Sequence, residues 1–182
     1  MALTRAVVIH GLGGRHADNW FPWLQSRLNI QGIETVVPDF PAPELPQLEA
    51  WLAHFGALDL NPDDQLALIG HSLGCNLIYF LLEQWARSGR EIGLALCVAP
   101  VHEDDALPAT RDFFRRLPDF DLVRRGAVRR VIVHSDNDPY ISVSHARILA
   151  ERTEAELEII PGGGHFNTRA GYDRFDALLK YF

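Results

Sequence analysis

Lysine is almost missing from this chain. Lys180 is the only one among 182 residues and every other cation is arginine, a bias to which we attach no function. Cysteine is equally scarce: Cys75 and Cys97 cannot build a disulfide framework, and each sits in an apolar stretch, so buried free thiols are expected. No apolar run approaches the ~20 residues needed to span a bilayer. The first residues lack the apolar core and cleavage site of a signal peptide. A soluble, cytoplasmic protein without a membrane partner is therefore the expectation. Positive charge is also in deficit: the formal net charge of -7 argues against nucleic acid as a partner, because phosphate binding needs a basic footprint. Neither an HExxH run nor paired Cys/His spacing occurs, which leaves a metal site without support. What is present is ordinary: 47% hydrophobic and 23% charged residues, in a length that suits one domain over 1–182.

Short β-branched runs alternate with longer helical patterns, which predicts a parallel sheet flanked by helices. Strands are expected at 6–9, 33–37, 65–70, 92–98, 128–134 and 157–160. Helices are expected at 18–28, around Leu48–Phe55, from Leu77 to Trp85, at 142–152 and at 172–181, each with apolar residues at helical spacing. The stretch 100–126 is longer and less regular. Its connection leaves the carboxyl edge of the sheet, where ligands bind in α/β folds. Phe113, Phe114, Leu117 and Phe120 either form a miniature lid over a pocket or complete the core, and the second reading is favoured.

The strongest local signal is Gly-x-Ser-x-Gly at Gly70, Ser72 and Gly74. The pattern alone arises by chance in roughly 6% of chains this long. Its position between an expected strand and an expected helix raises its value, because that is the setting of a nucleophile elbow. A serine on such a turn needs small neighbours two positions away on either side. The backbone N–H of Leu73 then opens the helix, where it can stabilise an oxyanion. A hydroxyl is a poor nucleophile without a base. Of eight histidines, His165 lies in Gly-Gly-Gly-His after the last strand, on the same sheet edge as the elbow. The acid should follow another strand on that edge. The run Ser-Asp-Asn-Asp-Pro at 135–139 offers Asp136 and Asp138. Asp138 is preferred, with Asp136 expected to hold the turn through its own backbone. The order Ser72, Asp138, His165 is that of α/β-hydrolases. A second oxyanion donor is expected from the loop His-Gly-Leu-Gly-Gly at 10–14, with the Leu12 N–H preferred over Gly11 or Gly13.

Competing readings are weaker. The 10–14 loop lacks the GxGxxG spacing of a dinucleotide site, and Asp39, the nearest acid after the second strand, follows a proline in a loop. No cofactor is expected. His71 is expected to pack at the elbow or shape the pocket, His134 to end a strand, and His54 to lie on a helix. The arginines at 111, 115, 116, 124, 125, 129 and 130 read as a solvated face balanced by Glu103, Asp104, Asp105 and Asp112.

The His10-Gly start, the block Trp-Phe-Pro-Trp-Leu at 20–24, His-Ser-Leu-Gly at 71–74, the 135–139 run and Gly-Gly-His-Phe at 163–166 resemble one group. These are the compact, nearly lidless serine hydrolases that include retinoblastoma-binding protein nine and its bacterial relatives. The resemblance spans essentially the whole chain. It implies an α/β-hydrolase fold with a six-stranded, mostly parallel sheet, and a triad of Ser72, Asp138 and His165. The activity implied is serine-hydrolase or carboxylesterase chemistry on small or short-acyl esters, through an acyl-enzyme and without a cofactor. The alternatives are a peptidase or acyltransferase with the same triad, or a non-catalytic protein-binding module on the same fold.

Overall fold

The computed structural model describes residues 2–103 and 107–182. Six strands form one all-parallel sheet: β1 (Arg5–Ile9), β2 (Glu34–Val36), β3 (Leu66–His71), β4 (Ile92–Val98), β5 (Ala127–Ser135) and β6 (Glu156–Ile160). Their spatial order is β2-β1-β3-β4-β5-β6. The chain thus runs outward from β1 to β2, then recrosses and builds the rest of the sheet from the other side. The order reverses between β1 and β3, and a crevice opens outside the carboxyl ends of strands at such a reversal.

Side chains of successive strand residues point to opposite faces, so each strand feeds two cores. Val7, Ile9, Leu66, Leu68 and Ile132 face one core, covered by α2 (Leu48–Gly56), α3 (Leu73–Arg87) and α5 (Val143–Thr153). Ala6, Val8, Ala67, Ile69, Val131 and Val133 face the other, covered by α1 (Phe21–Ile30) and the C-terminal segment. β3 is buried at all six positions, as a central strand covered on both faces must be.

Three expectations are corrected. The closing helix over 172–181 is a single 3-10 segment, Asp176–Tyr181. Phe175 adopts φ −142 and ψ 70, outside the helical region, and its ring stacks on Phe166 at 4.9 Å. The stretch 100–126 divides its work between lid and core. It contains a 3-10 segment, Pro108–Phe114, and a short helix, α4 (Phe120–Arg125). Phe113 is fully in the core, Phe120 packs half-buried, Phe114 lines a cavity, and Leu117 is exposed. Among the described residues, several of the arginines pair with acids beyond those expected, while one uses an expected partner. Arg116 pairs with Glu83, Arg124 with Asp121 and Glu154, Arg129 with Glu156, and Arg115 with Asp112. Asp104 and Asp105 lie outside the described residues. Cys75 and Cys97 are buried free thiols, as expected.

Candidate active site

Ser72 stands at the turn from β3 into α3 with φ +53 and ψ −124. A positive φ is costly for a residue with a Cβ and clusters at functional sites. Serine in this position usually caps the helix through its hydroxyl, yet here the side chain makes no capping bond. The turn is tight because of its neighbours. A Cβ on Gly70 would sit 2.8 Å from the Cys75 backbone, and one on Gly74 would sit 2.4 Å from the Ile9 carbonyl oxygen. The β1 loop presses on the same turn: a Cβ on Gly11 would lie 2.9 Å from Ser72 Cβ. Among the described residues, neither the Leu12 N–H nor the Leu73 N–H has an acceptor, and both residues border the cavity at Ser72. His10 holds the loop below them. Its Nδ1 donates to the Gly11 carbonyl at 2.9 Å, and its Nε2 accepts the Phe40 N–H at 2.9 Å. That pattern is the neutral ring, and burial pushes the His10 pKa down accordingly.

His165 lies on the loop after β6, and its Nδ1 donates to Asp138 Oδ2 at 2.7 Å. A carboxylate only accepts, so the neutral ring carries its proton on Nδ1 and presents the Nε2 lone pair. The Asp138 side chain has no solvent exposure. Burial alone would raise its pKa, but the bond to His165 and two backbone N–H groups, of Tyr140 and Ile141, hold it below the ordinary carboxylate range. Ser72 and His165 line the same two cavities. Among the described residues no hydrogen bond joins Ser72 Oγ to the ring; such bonds are often long before substrate arrives.

The run 135–138 clamps the His165 loop with four consecutive side chains. Ser135 Oγ donates to the Gly164 carbonyl at 2.5 Å. Asp136 Oδ1 accepts the Gly162 N–H at 2.8 Å, Asn137 Oδ1 accepts the Gly164 N–H at 2.7 Å, and Asp138 takes the ring. Asp136 therefore spans two loops instead of holding its own turn, and Asp138 braces the turn after β5. Two further side chains hold the loop from the other side. His71 Nε2 donates to the His165 carbonyl at 2.8 Å, and Trp20 Nε1 donates to the Phe166 carbonyl at 3.0 Å. His71 both packs at the elbow and touches the smaller cavity. Burial, reinforced by the nearby His165, lowers its pKa to about 3, so it stays a neutral donor. Residues 135–137 and His71 escaped sequence reading as supports of the loop, because their partners are backbone atoms far along the chain.

His134 ends β5 and His54 lies on α2, where its ring meets Phe40 at 5.3 Å. Asp39 pairs with His16 at 2.7 Å. Among the described residues no group of three or more His, Cys, Asp or Glu side chains is arranged to hold a metal ion, and no helix is long and apolar enough to cross a membrane.

A parallel sheet with its order reversed at β1/β3, a serine on a strained strand-to-helix turn there, and a histidine–carboxylate pair on neighbouring loops define an α/β-hydrolase architecture. The chain belongs to the serine hydrolase family, whose model matches residues 6–182. It is 28% identical over 185 residues to the hydrolase YdeN of Bacillus subtilis (strain 168), covering 99% of this chain and 97% of that one. The crystal structure of the B. subtilis ydeN gene product superposes with a TM-score of 0.86 at 27% identity, covering 98% of each chain. A YdeN-like hydrolase of Pectobacterium atrosepticum shares the fold, with a TM-score of 0.75 at 23% identity over 99% of this chain and 88% of that one. So does Est1E of Butyrivibrio proteoclasticus, at 0.71 and 19% over 99% and 85%.

Proposed function

We propose that the chain, acting as one domain, is a carboxylesterase in which Ser72 is the nucleophile, His165 its base and Asp138 the group that orients the base. The observation that carries this reading is the pairing of an unspent, strained Ser72 hydroxyl with a His165 whose Nδ1 is already bonded to Asp138 at 2.7 Å. His165 Nε2 takes the Ser72 proton as Oγ attacks the ester carbonyl. The N–H groups of Leu12 and Leu73, which have no acceptor among the described residues, receive the oxyanion. The proton then passes from His165 to the leaving alkoxide, the C–O bond breaks, and an acyl-enzyme remains. Water, deprotonated by the same ring, releases the acid. No step requires a cofactor.

The test is labelling with a fluorophosphonate probe, together with hydrolysis of p-nitrophenyl esters from acetate to octanoate. Wild type should label, and Ser72→Ala and His165→Ala should not, with kcat lowered by about 10⁴-fold or more. A folded wild type that neither labels nor hydrolyses any ester would instead favour a binding protein on a hydrolase fold. Amide hydrolysis faster than ester hydrolysis would point to a peptidase.

A further inference from the structure

Two cavities meet at Ser72 and His165, and their linings differ in kind. The larger, about 590 Å³, is walled mainly by apolar groups, Leu73, Val101, Phe114, Pro139 and Ile141, with Glu103, Thr110 and His145 among its described polar residues and Asn167 shared with the other cavity. The smaller, about 450 Å³, is walled by the glycine loop after β1 and by Asp18, Asn19, Asn167, Thr168 and Arg169. Its polar groups are partly committed, which defines what they still offer. Asn19 Oδ1 accepts the Thr168 N–H at 3.0 Å, and Asn167 Oδ1 accepts the Ala170 N–H at 3.0 Å, so each amide retains its NH₂ as donor. Asp18 Oδ2 accepts the Arg15 N–H at 2.8 Å and keeps further acceptor capacity. One carboxylate and one guanidinium leave the lining without net charge. The lining therefore has no excess charge to select an ion of either sign, whereas hydroxyls can donate to Asp18 and accept from the amides.

We infer that the substrates are esters of an apolar acyl group with a small, uncharged, hydroxyl-rich alcohol, a reading that rests on the esterase assignment above. The acyl chain occupies the larger cavity and the alcohol the smaller. The orientation follows from the two N–H groups proposed to bind the oxyanion. Leu12 and Leu73 both border the larger cavity, while Leu73 is not part of the smaller one. With the carbonyl oxygen held between those N–H groups, the acyl chain is assigned to the apolar side. Burial of that chain contributes about 25 cal/mol per Å² of apolar surface removed from water. The alkoxy oxygen points toward the polar side, still beside His165, which protonates it.

The experiment uses two isomeric esters, glyceryl hexanoate and hexyl glycerate, which carry the same groups in reversed orientation, with butyl hexanoate as a third substrate. Rates are normalised to hydroxide-catalysed hydrolysis, and fluorophosphonate labelling runs in parallel. Glyceryl hexanoate should exceed both others in kcat/KM by at least about tenfold. Arg169→Leu should narrow its lead over butyl hexanoate, and Phe114→Trp should shift the p-nitrophenyl series toward shorter acyl chains. Equal rates for the three esters, or a preference for hexyl glycerate, in an enzyme that labels normally would overturn the inference and leave the esterase reading intact. Absence of both labelling and hydrolysis overturns the two together.

Discussion

At the scale of the residue, the site depends on one side chain in an unfavourable backbone conformation. Ser72 at φ +53 occupies a region that glycine enters freely and residues with a Cβ do not. Ser72→Gly should therefore stabilise the fold by about 1 kcal/mol or more while abolishing ester hydrolysis. Ser72→Ala keeps the strain and should leave stability nearly unchanged. Urea unfolding of the two variants beside wild type reads this difference directly. The glycines around the turn act by a separate mechanism, through absence of volume: at Gly74 a methyl group would overlap the Ile9 and His10 carbonyls. This much was legible in the sequence, because the pattern at 70–74 states both the serine and the space it needs. The run at 135–139 also named Asp138 ahead of Asp136, and it is Asp138 that meets the His165 ring. The job of Asp136 was not legible, since its partner, the Gly162 N–H, lies on another strand's loop.

At the scale of the element, two loops are held by side chains from elsewhere. The His165 loop hangs from His71 and Trp20 on one side and from residues 135–138 on the other. His71→Leu removes a donor to the His165 carbonyl and should lower kcat by about tenfold to a hundredfold with little change in KM, because misplacement by a fraction of an ångström is enough. His71→Gln, whose amide can still donate, should recover part of the loss. Steady-state kinetics on one p-nitrophenyl ester would check both. The segment between β4 and β5 is tied down differently. Asp112 Oδ2 accepts the Leu48 N–H at 2.7 Å, capping α2 from outside, and Phe113 packs on Trp51 at 5.2 Å. Asp112→Ala should cost about 1 kcal/mol in stability. Because Phe114, two residues further on, lines the larger cavity, the same variant should raise KM for long acyl chains more than for acetate. A cap supplied by a residue sixty-four positions away cannot be found by looking for Ser, Thr, Asp or Asn just before the helix.

At the scale of the whole molecule, buried neutral histidines make stability depend on pH. The ordinary histidine pKa of 6.5 falls to about 3 for His71 in the fold, so between those values the unfolded chain binds a proton that the native state refuses. Stability is then fully present above about pH 6.5 and declines as the pH falls, by on the order of 1 kcal/mol per pH unit. His10, His102 and His134 are shifted in the same direction, in each case chiefly by burial. Asp138 contributes later: its depressed pKa gives stability that is lost only as the pH drops below the ordinary carboxylate value. Urea midpoints from pH 7 down to pH 4 should fall steadily in wild type and less steeply in His71→Phe. A flat profile over that range would contradict a buried neutral His71.

The chain's own pattern determined the strand-and-helix alternation, the parallel sheet, the elbow and the order of its three candidate residues. Those features rest on local periodicity and on turn residues that are adjacent in sequence. Only the tertiary structure decided which loops meet. It set the neutral state of His71 by burying it, and it turned 135–138 into a clamp by bringing β5 alongside β6. It also shortened the C-terminal helix at its start, where Phe175 stacks on Phe166. It opened two unlike cavities at one serine because the strand order reverses between β1 and β3. Each of these depends on contacts between distant segments, whose free energy no local window of sequence contains.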